Sequence, residues 1–139
     1  LRKRNLPPTC TRRDIFMMGL IHRVVLGKAP PQYQKFIHFA ARGHLNRGWA
    51  LRAQRHTRQL HDPVDGSQPN IVERSILGLI HTYNLLPQRT VDCKNVPMFK
   101  RALLRAVQKY AATGAGNWDV LLKHGVRCMP PSTFQHLFP

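Results

Sequence analysis

Eight histidines, three cysteines and six carboxylates are the residues of this 139-residue chain with chemistry to offer, and their spacing limits what that chemistry could be. His22 and His81 each close a Gly-Leu-Ile-His run, in DIFMMGLIHRVVLG and SILGLIHTYN, and both copies run on into a Pro-Gln. Brought together, the pair would make a two-histidine site. On separate helices, each would be a hydrogen-bonded packing residue beside an apolar face. Each glycine would then mark a close helix approach, which offsets the roughly 1 kcal/mol that glycine costs inside a helix relative to alanine. The second reading is favoured over both the site and a true duplication. Aligning the copies also superposes Leu26 on Leu85, but little else in the flanks matches.

The remaining ligating residues are badly spaced for a metal. There is no Cys-x-x-Cys, and His56 with His61 or His124 with Cys128 would supply only two of the four ligands of a structural zinc. No metal and no cofactor are expected. Cys10, Cys93 and Cys128 are odd in number and far apart, which argues against a disulfide framework and for a reducing compartment. Of the carboxylates, Asp14, Glu73 and Asp119 fit helix-capping or first-turn positions, and Asp62 and Asp65 sit in a turn. That leaves no convergent acid/base pair. There is no Gly-rich phosphate loop after a strand and no Gly-x-Ser-x-Gly elbow, and no cysteine has a motif-level histidine partner. Catalysis is not expected, nor is a small-molecule substrate.

The charge carries the remaining signal. There are 22 Lys and Arg against 6 Asp and Glu, a formal +16 that repels itself in an isolated compact fold and calls for a polyanionic partner. Arginine outnumbers lysine, and its planar guanidinium suits bidentate phosphate contacts, so nucleic acid is favoured over a membrane surface. The candidate contacts fall in separate segments. Arg2, Lys3 and Arg4 open the chain, and Arg42, Arg47, Arg52, Arg55 and Arg58 punctuate RGHLNRGWALRAQRHTR, where Trp49 could stack on an unpaired base. Lys100, Arg101, Arg105 and Lys109 follow on a predicted helix. Such dispersal suits burial among RNA strands better than a single groove-reading element. No zinc-finger, RRM, KH or helix-turn-helix signature is present.

The elements that must position these residues read as helices throughout, and alternating strand patterns are absent. Thr11 with Asp14 forms a capping-box pattern, predicting a first helix over residues 12–26 that is apolar almost all round and stopped by Gly27. Pro30-Pro31 then predicts a second helix over residues 31–42. HDPVDGSQPN is turn-rich and divides a basic helical half, residues 1–61, from a second helical half, residues 71–139, with residues 62–70 as linker; together they form one compact unit. Asn70 with Glu73 repeats the capping pattern for a third helix ending at Leu86 before Pro87. A fourth starts near Pro97 after Asn95, with Phe99, Leu103, Ala106, Val107 and Tyr110 on one face. Asn117 would cap a short last helix over residues 118–124. The tail RCMPPSTFQHLFP is expected to be irregular, anchored by Phe134, Leu137 and Phe138. The fold class is thus all-α, a small bundle of about five helices with Pro/Gly-rich loops. No run reaches the roughly 18 apolar residues of a membrane-spanning helix.

Two stretches carry a family resemblance. RRDIFMMGLIHRVVLGKAPPQYQKFI resembles the C-terminal region of reverse transcriptases of non-LTR (LINE-like) retrotransposons, in its Arg-Arg-Asp start, Leu/Met-rich helix and Gly-x-Ala-Pro-Pro turn. SILGLIHTYNLLPQ followed by MFKRALLRAVQKYA is similar to the continuation of that region. The family's catalytic Asp-Asp motif has no counterpart, so no polymerase activity or catalytic residue carries over. The resemblance implies a helical, nucleic-acid-associated remnant recruited to a new role, and makes the two GLIH runs separate helices of one ancestral region.

The expectation from the sequence is an RNA-binding structural component of a large ribonucleoprotein, an organellar (mitochondrial) ribosome in the matrix, with rRNA and neighbouring proteins as partners. The opening at Leu1 without an initiator Met fits a processed organellar chain or a trimmed one. The alternatives are an accessory subunit of an organellar membrane complex and a DNA-binding retroelement-derived remnant.

Overall fold

A computed structural model describes residues 6–40, 56–63, 75–113, 121–122 and 131–138. The architecture there is a small all-α bundle without strands, built around two long helices. The first, α1, spans Thr9–Val25. It starts earlier than the capping box predicts, because Pro8 occupies the N-cap and its carbonyl accepts from the Arg12 amide at 3.0 Å. Proline loses nothing at a helix start and presets the backbone there. Thr11 and Asp14 are therefore inside the helix and buried, sharing a stripe with Ile15, Met18, Ile21 and His22 at helical spacing. The opposite side is open, with Phe16 64% exposed, so α1 is amphipathic and not apolar all round.

Gly27 ends α1 as predicted. Its φ of 72° is left-handed, and the amides of Gly27 and Lys28 bond back to the carbonyls of Val24 and Arg23 at 2.9 and 3.0 Å. The predicted second helix is reduced to one 3-10 turn, Pro31–Lys35. Beyond it the chain extends and forms an antiparallel bridge, Phe39 to Leu60, with the Ala40 amide on the Gln59 carbonyl and the His61 amide on the His38 carbonyl. The sequence YQKFIHF is poor in strong helix formers, and only Ile37 in it reaches the core, so this cross-chain pairing prevails over helix propagation.

The third helical segment is likewise shorter. Ser75 caps a 3-10 turn, Ile76–Leu79, which passes into α2, Ile80–Asn84. The predicted caps Asn70 and Glu73 lie outside the described residues. Pro87 ends that segment and opens a one-turn helix, α3, Gln88–Val91. The second long helix, α4, is Val96–Ala112, where the Asn95 side chain accepts from the Met98 amide at 2.9 Å. Its buried face is Phe99, Leu103, Ala106 and Val107, as predicted, and it packs along α1.

Leu121 and Leu122, the described part of the predicted last helix, are buried, and the Leu122 carbonyl accepts from the Thr82 hydroxyl at 2.6 Å. The tail is a correction: Pro131–His136 is helical, α5. Proline counts against a helix interior but not against its first position, which is where Pro131 stands. The anchoring expectation holds, with Phe134 and Phe138 fully buried and edge-to-face at 5.2 Å between ring centroids.

Candidate nucleic-acid interface

Perturbed titratable groups are a common mark of an active site, and the structure buries one such cluster of histidines. His22 lies flat against Phe99, with ring centroids 4.1 Å apart. Its Nε2 donates to the Cys93 carbonyl at 2.7 Å, and in the neutral ring Nδ1 accepts from the Tyr83 hydroxyl at 3.0 Å. His56 uses Nε2 to donate to the Tyr83 carbonyl at 2.9 Å, while its Nδ1 accepts the Arg58 amide at 3.0 Å. The His56 ring is neutral by geometry, because its Nδ1 must be unprotonated to accept the Arg58 amide, and burial favours the neutral form of His22. Burial lowers the pKa of each, and the nearby Arg58 charge lowers it further. Burial also raises the Tyr83 phenol well above its ordinary range. Every ring nitrogen of the cluster is occupied and all three side chains are buried, so it is a core network that fastens α1 to α2 and to residues 56–60. His22 is the hydrogen-bonded packing residue expected of it. His81 is a different case, half exposed and 3.6 Å from the Asp62 carboxylate, so the two GLIH histidines do not meet. Gly19 does receive a close neighbour, but it is a side chain: a Cβ there would stand 2.7 Å from Cε of Lys100.

Among the sequence candidates, Arg2, Lys3, Arg4, Arg42, Arg47, Trp49, Arg52 and Arg55 lie outside the described residues. Arg58 is half buried, and its guanidinium donates to the Val91 carbonyl at the end of α3, 2.9 Å away, where a cation also complements the helix dipole. Lys100 turns towards α1, its ammonium 4.7 Å from the centroid of the Phe16 ring. Arg101, Arg105 and Lys109 follow at intervals of four residues along the solvent face of α4, all exposed, at steps of about 6 Å. Lys109 donates to the His136 carbonyl at 3.0 Å, at the end of α5.

The fold adds a cation that the sequence pattern does not single out. Arg89 on α3 donates to the Phe138 carbonyl at 2.6 Å and shares a surface hollow of about 250 Å³ with Arg101 and Arg105. Thr90, Cys93, Met98 and Ala102 form the rest of its wall. Arg89 escapes sequence detection because α3 is a single turn between two prolines, too short for any periodicity. Burial and the neighbouring Asp92 raise the Cys93 thiol pKa, so this wall of the hollow stays uncharged at neutral pH. The described carboxylates have partners away from the hollow or on their own helix. Asp14 is buried in α1 beside Arg13, Asp62 faces His81, and Asp92 accepts from Gln88 at 2.7 Å. The arrangement offers fork-shaped donors over a partly apolar floor, a geometry suited to phosphate oxygens.

Among the described residues no cluster of three or more His, Cys, Asp or Glu is placed to hold a metal. No helix there is long and apolar enough to cross a membrane. Comparison with protein-family models, curated proteins and solved structures found no match.

Proposed function

We propose that this chain is a structural RNA-binding component of a large ribonucleoprotein, in which its arginines neutralise RNA phosphates while the apolar faces of α1 and α4 hold them in place. The observation that carries the proposal is the solvent face of α4: Arg101 and Arg105 stand exposed beside Arg89 in one hollow, on a chain of net charge +16. Phosphate contacts of this kind position a protein on RNA without specifying sequence. The role is positional, not catalytic. The organellar ribosome, with rRNA and adjacent ribosomal proteins as partners, is the setting that the charge and cysteine usage favour. The RRDIFMMGLIHRVVLG and SILGLIHTYN runs support descent from the retroelement region.

The test is whether the native protein sediments with a large particle before and after RNase treatment, with co-sedimenting chains identified by mass spectrometry. Sedimentation with ribosomal proteins that is lost on RNase treatment is the expected result. RNase-insensitive sedimentation with membrane-complex subunits would overturn the proposal and make the charge a protein or lipid interface. A preference of the purified chain for duplex DNA over RNA would replace it with the DNA-binding reading.

A further inference from the structure

Half of the large hydrophobic side chains exposed among the described residues fall in one short stretch: Tyr33 at 37%, Phe36 at 62% and Phe39 at 57%. Scattered exposed apolar groups are normal, but aromatic rings gathered in one segment call for a partner. This segment is held firmly. Tyr33 donates its amide to the Pro30 carbonyl at 3.1 Å, and Phe36 and Ile37 donate theirs to the Tyr33 carbonyl at 3.1 and 2.9 Å. Ile37 is sunk in the core, and the bridge at Phe39 ties the far end to Leu60. The backbone is thus fixed while the rings between its anchors face solvent, so little ordering entropy is left to lose on binding.

Tyr33 lies in the 3-10 turn Pro31–Lys35 and Phe36 is its C-cap, so one short turn carries both exposed rings. Each ring offers an exposed π-face on which a base of any identity can stack. The charge of the surroundings chooses the partner. Lys35 is exposed within the segment and Lys28 precedes it, and the chain runs on from Phe39 into Arg42 and Arg47, with no carboxylate in the sequence between Asp14 and Asp62. An apolar protein surface needs no such excess of cations, whereas a single-stranded nucleic acid offers bases and phosphates together.

We propose that residues 33–39 form a stacking platform for unpaired bases of RNA, with Tyr33, Phe36 and Phe39 supplying the rings and Lys35 a phosphate contact. The platform rests on the RNA-binding function proposed above and adds to it that the RNA is locally single-stranded where it meets this segment. The hollow on α4 takes backbone phosphates; the platform takes bases.

The experiment is fluorescence anisotropy of the full chain with a labelled single-stranded oligoadenylate, an abasic oligonucleotide of equal length, and a structured RNA hairpin. Phe36→Ala and Phe39→Ala should each weaken oligoadenylate binding about tenfold, the typical loss of one base–aromatic stack. They should leave abasic binding and the salt dependence unchanged. Thermal melting checks that these surface variants stay folded, and Phe36→Leu, which keeps an apolar surface but no ring, should lose as much as Phe36→Ala. Equal affinity for the abasic and adenylate strands would overturn the platform, as would full retention of affinity in Phe36→Leu or in both alanine variants. Loss of a co-purifying protein from the alanine variants with RNA affinity intact would also overturn it, in favour of a protein interface. If the wild type binds the hairpin and these failures occur, the platform alone falls. If the wild type binds none of the RNAs, the RNA-binding function falls with it.

Discussion

Replacing Arg101 and Arg105 together by glutamine tests the α4 face quantitatively. Both side chains are exposed and line the same hollow, and the glutamines keep helix propensity, so the fold should be untouched. Each phosphate neutralised by a cation releases counterions, and the slope of log affinity against log salt falls by about 0.7 per contact on a single strand and about 0.9 on a duplex. Two contacts are therefore worth about 1.4 to 1.8 in slope. Between 50 and 200 mM salt, the double variant should lose roughly 7- to 12-fold less affinity than the wild type loses. Lys100→Gln is the internal control. Its ammonium lies over Phe16, so its loss should remove a cation–π contact of about 0.5–1 kcal/mol and lower the melting temperature by a few degrees. The slope should change by less than half of the shift per arginine. The assay is filter binding with a structured RNA at several potassium chloride concentrations. An unchanged slope in Arg101→Gln/Arg105→Gln, or an equal change per residue in Lys100→Gln, would refute the assignment of phosphate contacts to this face.

Other perturbations address the scaffold. Asn84→Ala removes the amide that both accepts from the Leu60 N–H at 2.8 Å and donates to its carbonyl at 2.9 Å, and should destabilise by about 1–3 kcal/mol in denaturant unfolding. Gly27→Ala meets nothing within 4 Å but forces a side chain into φ of 72°, so a loss of about 1–2 kcal/mol is expected from backbone strain alone; a neutral result would mean that the turn relaxes. Stability should also fall with pH. His22 and His56 are held neutral in the folded protein with lowered pKa values, so their contribution is complete above the unfolded value of 6.5 and declines as pH drops below it, towards the folded values. The limit is about 1.4 kcal/mol per pH unit for each histidine. Melting temperatures flat from pH 7.5 to 5.5 would contradict the buried, neutral rings.

What the sequence made legible is the helix whose signals agree with one another. At α4 the Asn95 cap, a proline in the first turn and an apolar stripe at helical spacing all coincide, and the structure places the helix there. At α1 the apolar stripe and Gly27 were legible, but Thr11 and Asp14 imitate a capping box while they face the core, and no local rule separates a cap from a buried polar pair. Residues 36–39 depart further, because their conformation depends on Gln59, Leu60 and His61, partners distant in sequence. Arg89 enters the candidate site for the same reason: only the folding of α3 beside α4 brings it to Arg101 and Arg105.

The same contacts explain how a chain with so few carboxylates can fold at this charge. Several cations of the described residues are satisfied by backbone carbonyls, two of them at helix C-termini: Arg58 on Val91 and Lys109 on His136, with Arg89 on Phe138, Lys28 on Lys94 and Arg23 on Lys28 in the segments beyond. A carbonyl satisfies the hydrogen-bonding groups of a cation, and helix C-termini add a favourable dipole, but neither removes the net charge. The charge is thus local glue and, over the whole molecule, a repulsive load. Arg101 and Arg105 stand exposed on the hollow with Arg89, and their charges add to the repulsion until something anionic reaches them. Binding a polyanion would relieve that repulsion without rearranging the core, since the carbonyl contacts of Arg89 and Lys109 already tie α3 and α4 to the C-terminal segment. On the proposed function, structural stability and RNA affinity would be coupled through the same unneutralised charge.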